Sequence, residues 1–226
     1  MTTSGLVGRA PGVQPGLVLP AGVQAVVFDV VGTLVEPHPS VAMAYQAAAA
    51  RHGVERDAAE ISRRFREAWR RQEAIDAAGD RPFVTSRARE HERWRAIVEE
   101  VFASCPKTPA IFAELWEHFG RPAAWRPTAQ GPGLVRQAID AGLAVALASN
   151  FDERLHAIAG RVEPLSLVSH VFASSELGWR KPAGEFFRCV EERLGCAADE
   201  ILLVGDDPDL DIAAGRRAGW HVFGVS

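Results

Sequence analysis

Four short segments of the chain are almost continuously apolar, and each is followed by polar or glycine-bearing residues. They are Val23–Phe28, Leu143–Ala148, Val168–Phe172 and Ile201–Val204, and Trp220–Phe223 can add a fifth. Unbroken apolar runs of this length are typical of strands that are buried on both faces of a parallel sheet. Because helical patterns separate these segments, the sequence predicts an α/β fold with a doubly wound parallel sheet.

A different pattern occupies residues 40–125, between the first two strand segments. Apolar residues recur there at helical spacing, and four helices are expected. Ser40 and Ser86 can cap the first and third helices, and Thr108-Pro109 opens the fourth. This segment is therefore predicted to be a small helical bundle inserted into the sheet domain.

The two patterns divide the chain into three parts. Residues 21–39 and 126–226 are expected to form the α/β core, and residues 40–125 the inserted helical domain. Residues 1–20 contain several glycines and prolines and are expected to be a flexible tail. Proline-bearing linkers on both sides of the insertion would let the bundle sit over the carboxyl edge of the sheet.

Composition narrows the classes of partner. The chain has 226 residues, 25 basic against 29 acidic, and a formal net charge of −4, which provides no positive field for nucleic acid. The three cysteines match no zinc spacing and suit a reducing compartment, so a cytoplasmic location is expected. No apolar run reaches the roughly 18 residues of a membrane span. Because the charge disfavours nucleic acid and the chain lacks such a run, a small-molecule substrate is the expected partner.

Polar residues follow the predicted strands at the edge where ligand sites of parallel sheets gather. Asp29 follows the first strand in Asp29-Val-Val-Gly-Thr-Leu34, Ser149-Asn150 follows the second, and Gly205-Asp-Asp-Pro-Asp-Leu-Asp211 follows the fourth. Lys181, in Arg180-Lys-Pro182, precedes a helix. A buried carboxylate is costly unless a cation or several hydrogen-bond donors lie nearby, so Asp29 predicts such partners.

These four motifs, in this order and at strand ends, resemble the haloacid dehalogenase (HAD) superfamily of hydrolases. The resemblance covers about residues 23–224 and implies a HAD-like Rossmannoid core with an inserted helical cap domain. Any one motif alone would be weak evidence, whereas four in order are specific. The sequence motifs Ser149-Asn-Phe-Asp152 and 174–182 are most similar to those of one branch of that family.

The resemblance implies roles for the motif residues. Asp29 would be the nucleophile, with Ser149 and Lys181 as the other catalytic groups. Mg²⁺ would be held by Asp29, the backbone carbonyl of Val31 and Asp206, with Asp211 orienting the lysine or a metal-bound water. The phosphoryl group of a small phosphorylated substrate would contact four residues, namely Thr33, Ser149, Asn150 and Lys181.

One position departs from the family pattern. Phosphatases of this superfamily carry a second aspartate two residues after the nucleophile, where this sequence has Val31. Valine cannot transfer a proton, and general acid or base catalysis contributes ~10²–10⁴-fold. The leading hypothesis is a magnesium-dependent phosphatase, and the alternative is a silent module that binds metal with a phosphorylated ligand or a protein partner. His38 and Asp152 are candidate substitute acids.

Two relatives that also lack this acid fit less well. Phosphonoacetaldehyde hydrolases need a lysine in the cap, where only Lys107 is available, and dehalogenases lack the aspartate that corresponds to Asp206. The tryptophans at 69, 94, 116 and 125 are expected to be core of the inserted bundle rather than part of a substrate pocket.

Overall fold

The computed structural model describes residues 16–225 and has a parallel sheet at its centre. The strands are β1 (Ala25–Phe28), β2 (Val35–Pro37), β3 (Trp125–Pro127), β4 (Ala144–Ser149), β5 (His170–Ala173), β6 (Ile201–Gly205) and β7 (His221–Gly224). Five of them form one parallel sheet in the order β5-β4-β1-β6-β7. The predicted parallel sheet is confirmed, and the apolar segments predicted its five strands to within about two residues at each end.

Four helices follow β2 and pack around a hydrophobic cluster of their own. They are α1 (Val41–Arg51), α2 (Ala58–Ala78), α3 (Arg87–Val101) and α4 (Thr108–Phe119). The side-chain oxygens of Ser40 and Ser86 accept hydrogen bonds from backbone N–H groups in the first turns of α1 and α3, as predicted. Tyr45, Ile97 and Phe102 are fully or almost fully buried in the bundle.

The remaining helices cover the two faces of the sheet. They are α5 (Gly131–Asp140), α6 (Leu155–Ala159), α7 (Ser174–Leu177), α8 (Gly184–Leu194) and α9 (Ala214–Arg217), and a π-helical turn spans Pro208–Ala213. Val26 and Phe28 belong to the cluster that includes residues of α5 and α6. Ala25 and Val27 belong to the cluster on the other face, with residues of α8 and α9. Burial on both faces explains why β1 is continuously apolar.

The two proline-bearing linkers of the bundle pair with each other. Strands β2 and β3 form an antiparallel ribbon in which Val35 lies opposite Pro127 and Pro37 lies opposite Trp125. The chain therefore leaves and re-enters the sheet domain along one paired ribbon, which the sequence had indicated only as two separate linkers.

Of the predicted tail, residues 1–15 lie outside the part of the chain that the structure describes. Within the described remainder, the Leu17 N–H donates to Gln137 Oε1 at 2.7 Å, and the Leu17 side chain packs against the core. Between residues 16 and 225, no helix has the length and apolar character that crossing a membrane would require.

Candidate active site

Asp29 lies at the carboxyl end of the central strand, where two hydrogen-bond donors meet its side chain. Its Oδ1 accepts a hydrogen bond from Lys181 Nζ at 2.6 Å and another from Ser149 Oγ at 3.1 Å. Ser149 is the last residue of β4, which pairs with β1 in parallel register, so the two strand ends meet as predicted. Oδ2 receives no hydrogen bond from the described residues and is the oxygen left for a substrate or cation.

Lys181 joins the Asp29 carboxylate at the end of β1 to the Asp211 carboxylate in the π-helical turn after β6. Its Nζ donates to Asp29 Oδ1 and to Asp211 Oδ1, both at 2.6 Å, and all three side chains are buried. The amide of Asn150 holds the lysine backbone from both sides. Asn150 Nδ2 donates to the Lys181 carbonyl at 3.0 Å, and the Lys181 N–H donates to Asn150 Oδ1 at 2.8 Å. The Asn150 side chain therefore positions Lys181, and the backbone N–H of Asn150 is a further donor for a ligand.

The turn after β1 is shaped around Asp206. Thr33 is fully buried, and its hydroxyl donates to Asp206 Oδ1 at 2.8 Å. Gly32 has φ +92°, and a Cβ at this position would collide with the Asp206 carboxylate. Glycine is therefore required at position 32 both for the backbone angle and for the close approach of the carboxylate. The hydroxyl of Thr33 orients a carboxylate in this structure.

Three carboxylates of this site are close enough to share a cation. Asp29, Asp206 and Asp211 each offer an oxygen within 4.8 Å of the others. With Lys181 as the only ammonium between them, the fully ionised group has an excess of two negative charges. Carboxylate oxygens with a backbone carbonyl such as that of Val31 are the hard donors that Mg²⁺ prefers. The three carboxylates and their excess charge thus fit a divalent cation.

Burial perturbs the ionisation of the same groups. Burial raises the pKa of Asp29 to about 7, against the opposing effect of Lys181, and the neighbouring Asp211 carboxylate adds to the rise. Burial opposes a charge on Lys181, but the two carboxylates outweigh it and raise the pKa of the lysine. Partial burial also raises the pKa of Asp206. The lysine is therefore charged at neutral pH, and its single positive charge does not balance the negative charge of the three carboxylates.

A cavity of about 430 Å³ lies between the helical bundle and the sheet domain. It reaches the carboxylate site at Val31 and Asn150, although Asp29 and Lys181 do not line it. The expectation that the tryptophans are merely bundle core is incomplete. The four concerned are half-buried and line this cavity, namely Trp69, Trp94, Trp116 and Trp125.

Asp152 and His38, the candidate substitutes for the missing acid, are not placed to protonate a leaving group in the cavity. Asp152 is buried, and its carboxylate is held by Arg154 through two hydrogen bonds of 2.7 Å. His38 is exposed and does not line the cavity. Within residues 16–225, the residues that line the cavity include no aspartate, glutamate or histidine.

A buried cluster of charges beside Lys181 was not foreseen from the sequence. Arg180 is 1% exposed and donates to both carboxylate oxygens of Glu90 at 2.8 and 3.0 Å, and to Glu73 at 3.2 Å. Asp76 and Arg93 complete the cluster, with Arg93 bonded to Asp76 and to Glu73. The four bundle residues come from α2 and α3, so this charge cluster links the bundle to the loop that carries Lys181.

Backbone contacts reinforce the same junction. The Arg180 N–H donates to the Phe83 carbonyl at 2.9 Å, the Thr85 N–H donates to the Gly178 carbonyl at 2.9 Å, and Val84 forms a bridge with Trp179. The only local signal for this junction was the arginine that precedes Lys181, because its partners lie about 90 to 107 residues away.

The fold and the four strand-end motifs define a HAD-type hydrolase. The sequence model of the haloacid dehalogenase-like hydrolase family matches residues 23–219, and the chain belongs to that family.

A relative in Homo sapiens is named haloacid dehalogenase-like hydrolase domain-containing protein 3. It is 28% identical over 210 residues, which is 89% of this chain and 81% of the relative. The sequence motifs around Ser149 and Lys181 predicted a resemblance to this branch of the family, and that prediction is confirmed.

Solved structures with the same fold include proteins of different activities. A defluorinating L-2-haloacid dehalogenase has a TM-score of 0.71 and 24% identity, with 88% of this chain and 80% of that chain covered. A protein described as a predicted phosphoglycolate phosphatase from Haemophilus somnus 129pt has a TM-score of 0.64 and 17% identity, with 90% and 85% covered. At these identities the likeness establishes the fold, and the chemistry has to be argued from the site.

Proposed function

We propose that this protein is a magnesium-dependent phosphatase of a small phosphorylated compound, with Asp29 as nucleophile. The observation that carries the proposal is the group formed by Asp29, Ser149 and Lys181 facing Asp206 and Asp211. A carboxylate that attacks a phosphoryl dianion needs positive charge and donors around it, and this group offers both. A cytoplasmic location is part of the same proposal, since the three cysteines match no zinc spacing and suit a reducing compartment.

Each residue has a role that follows from its contacts. A carboxylate oxygen of Asp29 attacks phosphorus, and the bond between phosphorus and the leaving oxygen breaks, with the electron pair departing on that oxygen. Lys181 neutralises Asp29 before attack and the phosphoryl oxygens afterwards. The Asn150 N–H offers a donor to a phosphoryl oxygen, and the Ser149 hydroxyl would turn from Asp29 to a second one. Thr33 fixes Asp206. Water then attacks phosphorus, the bond between phosphorus and the Asp29 oxygen breaks, and inorganic phosphate is released as the Asp29 carboxylate is regenerated.

Magnesium, held by Asp29, Asp206, Asp211 and the Val31 carbonyl, would supply the remaining charge neutralisation. The argument for it is the excess of negative charge at the site and the raised pKa of Asp29. Hard carboxylate oxygens favour Mg²⁺ over metals that prefer nitrogen or sulfur ligands.

Phosphate release from a panel of substrates tests the proposal. We expect p-nitrophenyl phosphate and acetyl phosphate to be hydrolysed when Mg²⁺ is present, and glucose 6-phosphate to be a far poorer substrate. The first two have stable leaving anions, and among residues 16–225 no aspartate, glutamate or histidine lines the cavity to protonate an alkoxide. Asp29→Asn is the matched control and should lower the rates by at least about a hundredfold.

The alternative is a module that binds metal and a phosphorylated ligand without turnover. Val31 favours it, because this side chain occupies the position from which the family's acid acts. If folded protein released phosphate from none of these substrates yet was stabilised by Mg²⁺, the binding module would be the correct description.

A further inference from the structure

The cavity beside the carboxylates has walls suited to a large apolar ring. Half of the residues that line it are aromatic, and most of these come from the helical bundle. The bundle supplies seven of the nine, namely Tyr45, Phe65, Trp69, Trp94, Phe112, Trp116 and Phe119. The volume of the cavity, about 430 Å³, lies within the range of small-molecule sites, roughly 300–1,000 Å³. An aromatic occupant could stack against these rings or meet them edge-on.

Apart from the exposed Arg66 and Arg70, the walls of the cavity offer few hydrogen-bond partners to a sugar or another polyhydroxyl compound. Buried hydroxyl groups need hydrogen-bond partners, and those left without one lose the free energy of hydration. The Asn150 amide already bonds the Lys181 backbone. Tyr45 is 1% exposed, and its hydroxyl has no hydrogen-bond partner in the described part of the chain, so it offers one polar contact to an occupant.

The charges that line the cavity are all positive. Arg66 and Arg70 are exposed, lie one turn apart on α2, and form no ion pair within residues 16–225. Arg154 lies over the ring of Trp116, with 3.4 Å between the guanidinium carbon and the ring centroid, and its charge is paired with that of Asp152. The uncompensated positive charge at the cavity is therefore that of Arg66 and Arg70. An anionic substrate would thus be attracted to the opening, while its apolar part would be buried.

We infer that the substrate is a phosphate ester of a planar apolar group about the size of two fused rings. The ring system would lie among the bundle aromatics, and the phosphoryl group would lie at Asp29. This inference rests on the proposed phosphatase function. Val31 lines the cavity at the junction with the site, so it would contact the leaving group. An aromatic leaving group departs as a delocalised phenolate and needs no acid at that position.

A substrate series with the unaltered protein and Mg²⁺ tests the inference. Phenyl and 2-naphthyl phosphate have leaving groups of similar acidity and differ by one fused ring. We expect kcat/KM to be at least tenfold higher for the naphthyl ester, because the second ring is removed from water in the cavity. Acetyl phosphate, which carries no ring, reports the chemical step without the cavity.

A variant that narrows the cavity provides a second test. Leu115 lines it and is 3% exposed, so Leu115→Trp should fill part of the space. The preference for naphthyl over acetyl phosphate should fall at least tenfold. Ile75→Trp is the matched control, since Ile75 is 52% exposed on α2 and does not line the cavity, and it should leave both rates unchanged.

A binding measurement separates the inference from the proposed function. Asp29→Asn protein with Mg²⁺ can be titrated with 2-naphthyl phosphate and with glucose 6-phosphate while its tryptophan fluorescence is followed. One outcome is that only the naphthyl ester quenches the tryptophan fluorescence saturably and the unaltered protein does not hydrolyse it. That result would support the cavity as the binding site of an aromatic phosphate and contradict the phosphatase activity. Turnover of acetyl phosphate without any preference between phenyl and naphthyl esters would overturn the inference and leave the phosphatase intact.

Discussion

Val31 is the residue at which this chain departs from the phosphatases that it resembles. Its side chain packs against the sheet core on one side and lines the cavity on the other. An aspartate at this position would meet both the leaving oxygen and the neighbouring Asp29. Because a second carboxylate raises the pKa of the first, the new group could hold a proton near neutral pH.

We therefore expect Val31→Asp to raise the hydrolysis of alkyl phosphates at least tenfold, equivalent to about 1.4 kcal/mol of barrier. Stability should fall modestly, because an apolar contact with the core is lost. Steady-state rates on glucose 6-phosphate measure the gain, and Val31→Asn, which has similar shape but no acidic proton, is the control. No gain on any substrate in folded, metal-binding protein would favour the silent module.

The sequence indicates candidate site residues where the information is local, and it leaves their hydrogen bonds open. Asp29, Ser149 and Asp206 could be found because each follows an apolar strand. The sequence could not show that the Asn150 amide is taken up by the Lys181 backbone, or that Thr33 bonds Asp206. Those contacts join residues 31 and 173 positions apart, and residue types alone do not specify such pairs.

At the scale of elements, α2 and α3 are joined to the core loop by the buried charge cluster around Arg180. Glu90 is 1% exposed and accepts hydrogen bonds from Arg180 and from the Thr85 hydroxyl. Removing one partner of a buried ion pair leaves the other charge uncompensated, and the free energy of unfolding typically falls by about 3–5 kcal/mol.

We expect Glu90→Gln to lower the free energy of unfolding by at least about 2 kcal/mol, since the amide keeps only part of the hydrogen bonding. Urea denaturation followed by circular dichroism provides the measurement. Glu99→Gln is the control, because Glu99 pairs with Arg95 on the exposed face of α3 and its loss should cost less than about 0.5 kcal/mol. Equal effects of the two substitutions would show that the cluster does not stabilise the fold.

The elements were well predicted wherever one periodicity extended over a whole segment. The five sheet strands and the helix caps at Ser40 and Ser86 follow from such patterns. The ribbon of β2 and β3 and the cavity between bundle and sheet depend on how distant segments meet. Trp69, Trp94 and Trp116 show the difference, because helical spacing places them on an inner face of the bundle without revealing that this face encloses a cavity.

For the whole molecule, the carboxylate site links stability to pH and to magnesium. The raised pKa of Asp29 means that folded protein binds this proton more tightly than unfolded protein. Its contribution to stability is therefore complete below the unfolded pKa, near 4, and is lost as the pH rises through about 7. A cation bound only by the folded form compensates for that loss.

We expect Mg²⁺ to raise the melting temperature more at about pH 8 than at about pH 5.5. At the lower pH a proton on Asp29 competes with the metal, which weakens binding roughly thirtyfold if one proton is displaced. Thermal unfolding with millimolar Mg²⁺ at both pH values measures the difference, and Asp206→Ala should abolish the shift. A shift of the same size at both pH values would contradict a role for Asp29 as a ligand.

The charge cluster between the bundle and the Lys181 loop also bears on the motion of the bundle. A slight separation would part Arg180 from Glu73 and Glu90 before water could enter, and would lose Coulomb energy without gaining hydration. A wide separation lets water reach every charge. Intermediate positions are therefore the least favourable, and the bundle is expected to switch between a shut and an open position. The lifetime of the shut position would then set how long a product stays bound.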